Sequence, residues 1–210
     1  MTEEIPGTLP GGFTKLPIIG VVALQGGFQA HLDKVTFLGC EGREVRNLED
    51  LTGLAGLILP GGESTVLKKL GLEKGLWSVL VEKVEAGLPI FGTCAGAILL
   101  STEVVDHDDF GIGLIPVKIQ RNAYGSQKDS FITGGPGVRE RVFIRAPRIV
   151  EASDRVSVID HLEETQEPLA VRFKDRFLAT YHPELCEDSF LLESFLKVVL
   201  AKRFDLKERA

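Results

Sequence analysis

Cysteine is scarce in this chain. The three present, at positions 40, 94 and 186 of 210 residues, are too few and too scattered for a disulfide framework, and no pair has C-x-x-C spacing. A reducing, cytoplasmic setting is the simplest expectation. Basic residues are the minority: 24 Lys and Arg against 30 Asp and Glu give a net charge of −6, which speaks against a nucleic-acid-binding face. Long apolar runs are missing. None approaches the roughly 18 residues that a membrane helix needs, so no membrane association is expected. The opening MTEEIPGTLPGGFTKLP, with early acids and several Gly and Pro, has no signal-peptide core. Residues 1–16 read as a flexible N-terminal tail and residues 17–210 as a single domain, long enough for a full core. Internal repeats, linkers and low-complexity blocks are absent.

What is there alternates. Residues 18–24 (IIGVVAL) are short, apolar and β-branched, like a strand buried on both faces. Gln25-Gly26-Gly27 breaks the run, and 28–38 reads as a helix with Gly39 as its C-terminal cap. A second strand is expected at 44–47 and a third at 54–59 (LAGLIL), ended by Pro60-Gly61-Gly62. Ser64 reads as the N-cap of a short helix over 65–70. A longer helix is expected at 76–86, a fourth strand at 89–92 and a helix at 95–102. Strands and helices in alternation imply a parallel sheet covered on both faces. The second half is strand-rich, with runs at 114–120, 141–144, 149–152, 155–159, 169–173 and 176–180, some of them paired as hairpins. A helix at 190–204 closes the domain. The fold class is therefore α/β, a three-layer, mostly parallel central sheet with added antiparallel strands in the second half.

In such a sheet chemistry gathers at the carboxyl ends of the strands, and three turns fall there. GTCAG (92–96) has the G-x-nucleophile-x-G form of a nucleophile elbow. Its glycines let strand and helix cross closely, which forces Cys94 into a strained pose at a helix N-terminus that favours a thiolate. The turn alone fits a small buried cysteine equally well. In Tyr181-His182-Pro183-Glu184, side chains at i and i+2 of an extended segment point the same way, and Pro183 biases His182 toward extended backbone. Glu184 is then placed to orient the imidazole. Cys94, His182 and Glu184 together form a nucleophile, a base and its orienter. The third turn, Pro60-Gly61-Gly62-Glu63-Ser64, offers backbone N–H groups with little steric cover. With the Ala95 N–H, Gly61 and Gly62 make a candidate oxyanion hole, although the same turn serves equally as a plain tight turn. Magnitudes require such a device. A free cysteine of pKa about 8.5 is already a few per cent thiolate at neutral pH, so full ionisation gains roughly 30-fold. One oxyanion donor is worth about 100- to 1,000-fold. The residues say acyl transfer by cysteine, with no metal site and no cofactor implied, and do not name the acyl group.

Taken together, PGGES, GTCAG and YHPEL resemble the class I (triad) glutamine amidotransferases, a family of flavodoxin-like fold. ALQGGFQAH (23–31), LILPGGEST (57–65), RNAYGSQKDSF (121–131) and FIRAP (143–147) narrow the likeness to the glutaminase subunits of pyridoxal 5′-phosphate synthases. The resemblance runs from about residue 18 to the C-terminal helix. It implies that Cys94 attacks the side-chain amide of L-glutamine, that a γ-glutamyl thioester forms as ammonia leaves, and that His182, oriented by Glu184, moves the proton. It places glutamine against Gly62, Glu63, Ser64, Arg121, Ile144 and Arg145. An Arg suits the substrate carboxylate and a Glu its ammonium. The ammonia then passes to a partner subunit, a (β/α)₈ barrel that builds pyridoxal phosphate. Gln25 and His31 fall where that partner is expected to touch. The pattern departs at Ser126, where the family usually has Arg, and at Tyr181, where Phe is common. Two other readings stay open: a glutaminase serving another synthase, such as the imidazole glycerol phosphate enzyme, and a non-catalytic regulatory subunit on the same fold. The run Ala95-Gly96-Ala97-Ile98 disfavours the first, since those relatives carry a polar residue and Gln after the glycine. The intact Cys/His/Glu set disfavours the second.

Other features read as structural. Asp106-His107-Asp108-Asp109 is expected to be a solvated acidic loop, Cys40 core, Trp77 helix packing and His161 a surface turn. The four arginines between 139 and 148 alternate with apolar residues, as in a strand.

Overall fold

The structure, a computed structural model, describes residues 16–123, 130–135 and 138–208. The chain alternates through β1 (Ile18–Val22), α1 (Phe28–Phe37), β2 (Glu41–Val45), β3 (Gly56–Leu59), α2 (Ser64–Glu73), α3 (Leu76–Glu85), β4 (Ile90–Thr93) and α4 (Ala95–Leu100). It then runs through β5 (Ser101–Val104), β6 (Ile115–Gln120), β7 (Phe131–Gly135), β8 (Val138–Phe143), β9 (Arg148–Ala152), β10 (Ser157–His161), β11 (Pro168–Phe173) and β12 (Arg176–Ala179), and ends in α5 (Phe190–Glu208). The central sheet has seven strands in the order β10-β11-β12-β4-β3-β1-β2. β2, β1, β3, β4 and β12 are parallel, while β11 pairs antiparallel with both β12 and β10.

Alternate residues of each parallel strand enter opposite cores. Ile19, Val21, Ile58 and Phe91 pack with Val35 of α1 and Phe195 and Val199 of α5. Val22, Leu57, Leu59 and Ile90 pack with Leu67 of α2, Leu80 and Val84 of α3 and Ile98 of α4. Period-2 strands between amphipathic helices thus make three layers. Cys40 is core, and Trp77 packs in its helix and donates its indole N–H to the Lys68 carbonyl at 2.8 Å.

The structure moves several expected boundaries. The helix expected over 95–102 stops at Leu100, because the Ser101 hydroxyl takes the Ile98 carbonyl at 2.8 Å, the acceptor a continuing turn would use. Ser101 instead opens β5, which pairs parallel with β6 in a three-stranded sheet, β5-β6-β9. The added strands are therefore not all antiparallel. The second strand begins at Glu41, where its parallel register with β1 begins. Glu63, not Ser64, caps α2: its carboxylate accepts from the Thr65 and Val66 N–H groups at 3.1 and 2.8 Å. β7 lies outside the strand runs expected from the sequence. It forms a hairpin with β8, and Phe131 stacks on Phe143 with centroids 4.6 Å apart.

The alternating arginines hide a buried one. Arg141 and Asp160 are both 4% exposed. The guanidinium grips the carboxylate through Nε at 2.9 Å and Nη2 at 2.7 Å, and the Tyr181 hydroxyl donates to the same carboxylate at 2.7 Å. Burial works against the Asp160 charge, but these donors hold its carboxyl below the ordinary range. The network joins β8, β10 and the segment after β12, so the phenol is a bonded part of the core and not interchangeable with Phe. Removing one partner of a buried ion pair costs about 3–5 kcal/mol, and a hydrogen bond to a charged group about 1.5–3. In urea unfolding, Arg141→Met is expected to lose more stability than Tyr181→Phe, by those magnitudes.

Candidate functional site

The three turns meet at the carboxyl edge of the sheet: the one after β3, the one after β4 and the one after β12. Cys94, between β4 and α4, has φ 48° and ψ −104°, a conformation that costs a non-glycine residue about 1–3 kcal/mol. The crossing of strand and helix enforces it. A Cβ on Gly96 would run into the Leu59 carbonyl, so only glycine lets α4 start this close to β3. The cysteine is 6% exposed, its Sγ 3.8 Å from the Ile144 carbonyl.

His182 lies at the end of the strand edge, its N–H bonded to the Val142 carbonyl at 2.9 Å. Its Nδ1 is 2.7 Å from Glu184 Oε1. The extended geometry expected from the i, i+2 spacing is not what pairs them. Pro183–Leu185 forms a single 3₁₀ turn, and that turn brings the carboxylate back under the ring. Burial alone would lower the His182 pKa, but hydrogen bonds with Cys94 and Glu184, together with their charges, push it up to about 10. Glu184 is buried too. Desolvation disfavours its charge, and His31 and His182 restore it, holding the carboxyl below its ordinary range.

A cavity of about 340 Å³ opens over this set, lined by Gly61, Gly62, Glu63, Ser64, Cys94, Ala95, Arg121, Ile144, Arg145, His182 and Glu184. The structure thus brings together all the residues proposed for chemistry, glutamine binding and the oxyanion. Gln25 braces the glycine turn: its Oε1 accepts from the Glu63 N–H at 2.9 Å, while the Gly61 carbonyl accepts from the Gly27 N–H at 3.1 Å. Arg121 is held at the rim, 3.2 Å from Thr65 Oγ1, 3.6 Å from Glu63 Oε1 and 3.4 Å from His107 Nε2, with Phe110 beneath its guanidinium at 4.8 Å. The acidic loop is therefore a support for Arg121 as well as solvated surface. Ser126 lies outside the described residues. A larger cavity of about 580 Å³ opens at the opposite edge of the sheet, between Ile18, Ala55, Pro89 and Val199.

His31 is the correction. Expected on a contact surface, it is 1% exposed, because it shares a helix face with Phe28, Leu32 and Val35, which pack into the core. That spacing was the available signal. Its Nε2 lies 3.1 Å from Thr93 Oγ1 and 3.3 Å from Glu184 Oε2. Ala30, Asn122 and Leu185 also line the cavity, and no motif marked them. Cys186 is buried, its Sγ 3.3 Å from the His182 carbonyl, and burial raises its thiol to about 11. Among the described residues no three His, Cys, Asp or Glu gather as a metal site, and no helix is long and apolar enough to cross a membrane.

The model of the SNO glutamine amidotransferase family matches residues 21–200. A relative named pyridoxal 5′-phosphate synthase subunit PdxT from Thermosipho africanus is 39% identical over 186 residues, 86% of this chain and 98% of the relative. One of the same name from Caldicellulosiruptor bescii is 43% identical over 188 residues, 85% and 98% of the two chains. A crystal structure of a glutamine amidotransferase superposes with a TM-score of 0.80 at 41% identity, covering 86% of this chain and 98% of that one.

The raised His182 pKa has a checkable origin. Glu184→Gln removes the carboxylate charge, so the His182 pKa should fall from about 10 toward the ordinary 6.5 in a ¹⁵N NMR titration. Since the folded value lies above the unfolded one, the stability this pair contributes is fully present below about pH 6.5 and lost as the pH rises toward 10. The variant should lose the part of that pH dependence of unfolding that Glu184 supplies, the Cys94 contribution remaining.

Proposed function

The chain belongs to the SNO glutamine amidotransferase family, and from that premise we propose that Cys94, His182 and Glu184 hydrolyse L-glutamine and that the ammonia supplies pyridoxal 5′-phosphate synthesis. The observation that carries the assignment is Cys94 held at φ 48° on a cavity also walled by His182 and Glu184. Cys94 Sγ attacks the side-chain amide carbon. His182 receives the thiol proton, stores it by virtue of its raised pKa, and delivers it to the nitrogen as the C–N bond breaks. Ammonia leaves and a γ-glutamyl thioester remains. Water, losing a proton to His182, then attacks the thioester carbon; the C–S bond breaks, glutamate leaves and the thiol is restored.

The charge that develops on the amide oxygen falls to backbone N–H groups of the Gly61-Gly62 turn and of Ala95. As the first residue of α4, Ala95 has an N–H with no partner inside the helix. Arg121 and Arg145 supply positive charge for the substrate carboxylate, Glu63 negative charge for its ammonium, and Gly62, Ser64 and Ile144 the surrounding wall. Truncating one charged hydrogen-bonding partner costs about 1.5–3 kcal/mol. Arg121→Met should therefore raise KM for glutamine about 10- to 100-fold, with kcat changed less.

Relatives of matching length carry the name of a pyridoxal 5′-phosphate synthase subunit, which supports a synthase partner as receiver of the ammonia. From the family resemblance that partner is a (β/α)₈ barrel, with Gln25 near the contact. Three buried, unpaired cysteines suit a cytoplasmic setting. The test is ammonia release from glutamine with the synthase partner present. Wild type should release ammonia, and Cys94→Ala should release none while still assembling. Activity that survives Cys94→Ala would remove the nucleophile assignment; a wild-type complex that releases none would remove the enzyme reading.

A further inference from the structure

We propose that His31 is a positioning residue for this reaction: from α1, beneath the site, its neutral Nε2–H donates to Glu184 Oε2 and so fixes the carboxylate that orients His182. The inference rests on the glutaminase reading and deepens it.

The geometry runs in one line. His182 Nδ1 is 2.7 Å from Glu184 Oε1, and Glu184 Oε2 is 3.3 Å from His31 Nε2. Among the described residues neither the buried Glu184 Oε2 nor the buried His31 Nδ1 has a hydrogen-bond partner, and the ring nitrogen that faces Oε2 is Nε2. These two facts choose the tautomer. A proton on Nδ1 would bury an unpaired N–H and turn the Nε2 lone pair toward a carboxylate. A proton on Nε2 gives the carboxylate its donor, shared with Thr93 Oγ1 at 3.1 Å, and leaves only an unpaired acceptor. The second arrangement costs less. Burial also keeps the ring neutral: desolvation lowers the His31 pKa, attraction to Glu184 opposes this, and repulsion from His182 adds to it.

A second side chain of α1 grips the same loop. Lys34, three residues on and so on the same helix face, donates to the Cys186 carbonyl at 2.8 Å and the Glu187 carbonyl at 3.3 Å. α1 therefore holds the turn carrying His182 and Glu184 at its carboxylate and just past its end. The Thr93 contact joins that hold to the residue before Cys94.

The experiment compares His31→Leu, which keeps volume and removes the donor, with His31→Gln, whose amide can place an N–H where Nε2 sits. Glutaminase kinetics are measured with the synthase partner present. A misplaced base costs up to about 100-fold. His31→Leu should lower kcat about 10- to 100-fold with KM within threefold, and His31→Gln should recover most of the loss. Equal impairment of both variants, or a His31→Leu kcat within threefold of wild type, overturns the proposal alone. A wild-type complex that releases no ammonia overturns it together with the glutaminase reading. Independently of folding in the variants, ¹⁵N NMR of the wild type at pH 7 should show His31 neutral with its proton on Nε2; a cationic ring or an Nδ1 proton overturns the proposal.

Discussion

A carboxylate almost out of reach of water organises this molecule's working edge. The Glu184 side chain is 1% exposed, and in that setting a charge survives only with hydrogen-bonding partners at both oxygens. His182 occupies one oxygen and His31 lies at the other. Because Glu184 sits in a one-turn helix that depends on neighbours for its position, the whole segment must be tied down. The His182 N–H is bonded to β8, Lys34 holds the carbonyls of Cys186 and Glu187, and Tyr181, just before His182, is bonded into the Arg141–Asp160 pair. The Glu184 charge beside His182 is thus supported by elements from both halves of the chain.

Strain at Cys94 is compensated by packing. The φ of 48° at Cys94 persists because β3, β4 and α4 cross too closely for anything else, with Gly96 against the Leu59 carbonyl. The residues around that crossing, Leu59, Ala97, Leu99 and Leu100, have no solvent exposure, so relaxing the elbow would open a core that burial holds shut. The larger cavity at the other edge of the sheet has no comparable arrangement. It lies at the amino ends of β1, β3 and β4 and is lined mostly by aliphatic side chains and proline, with Lys83, Lys202 and Arg203. Position on the sheet, not volume, selects the site.

Much of this was legible in the sequence. Short apolar strands and amphipathic helices gave the layered sheet, and the glycines around Cys94 gave the elbow, because local sterics and periodicity dictate both. The misreadings arose where a single side chain decides. The apolar run after Ala95 continues past the point where the Ser101 hydroxyl stops the helix. Ser64 looks like a cap, but Glu63 reaches two N–H groups where a serine reaches one. Arg141 lies in a strand as expected, but its burial does not show in the pattern: β10, an edge strand of the central sheet and nineteen residues away, brings Asp160 to it. Contacts between distant segments leave no mark in local pattern, and the support of Arg121 by His107 and Phe110 is of the same kind.

His31 shows why such contacts matter to chemistry. A histidine beside a carboxylate ordinarily gains a proton and becomes its ion pair. A cationic His31 would draw Glu184 to itself and repel the proton on His182, lowering a pKa that is otherwise raised. Burial under α1 removes that competition: desolvation is the largest influence on His31 and outweighs the attraction of Glu184. What remains is a dipolar N–H, strong enough to fix an oxygen and too weak to claim the charge. Two imidazoles therefore share one carboxylate without sharing its function. In the proposed reaction the one nearer Cys94 takes the charge and moves the proton, and the one beneath sets the geometry. The difference between them is solvent access and the presence of the thiol, not residue type.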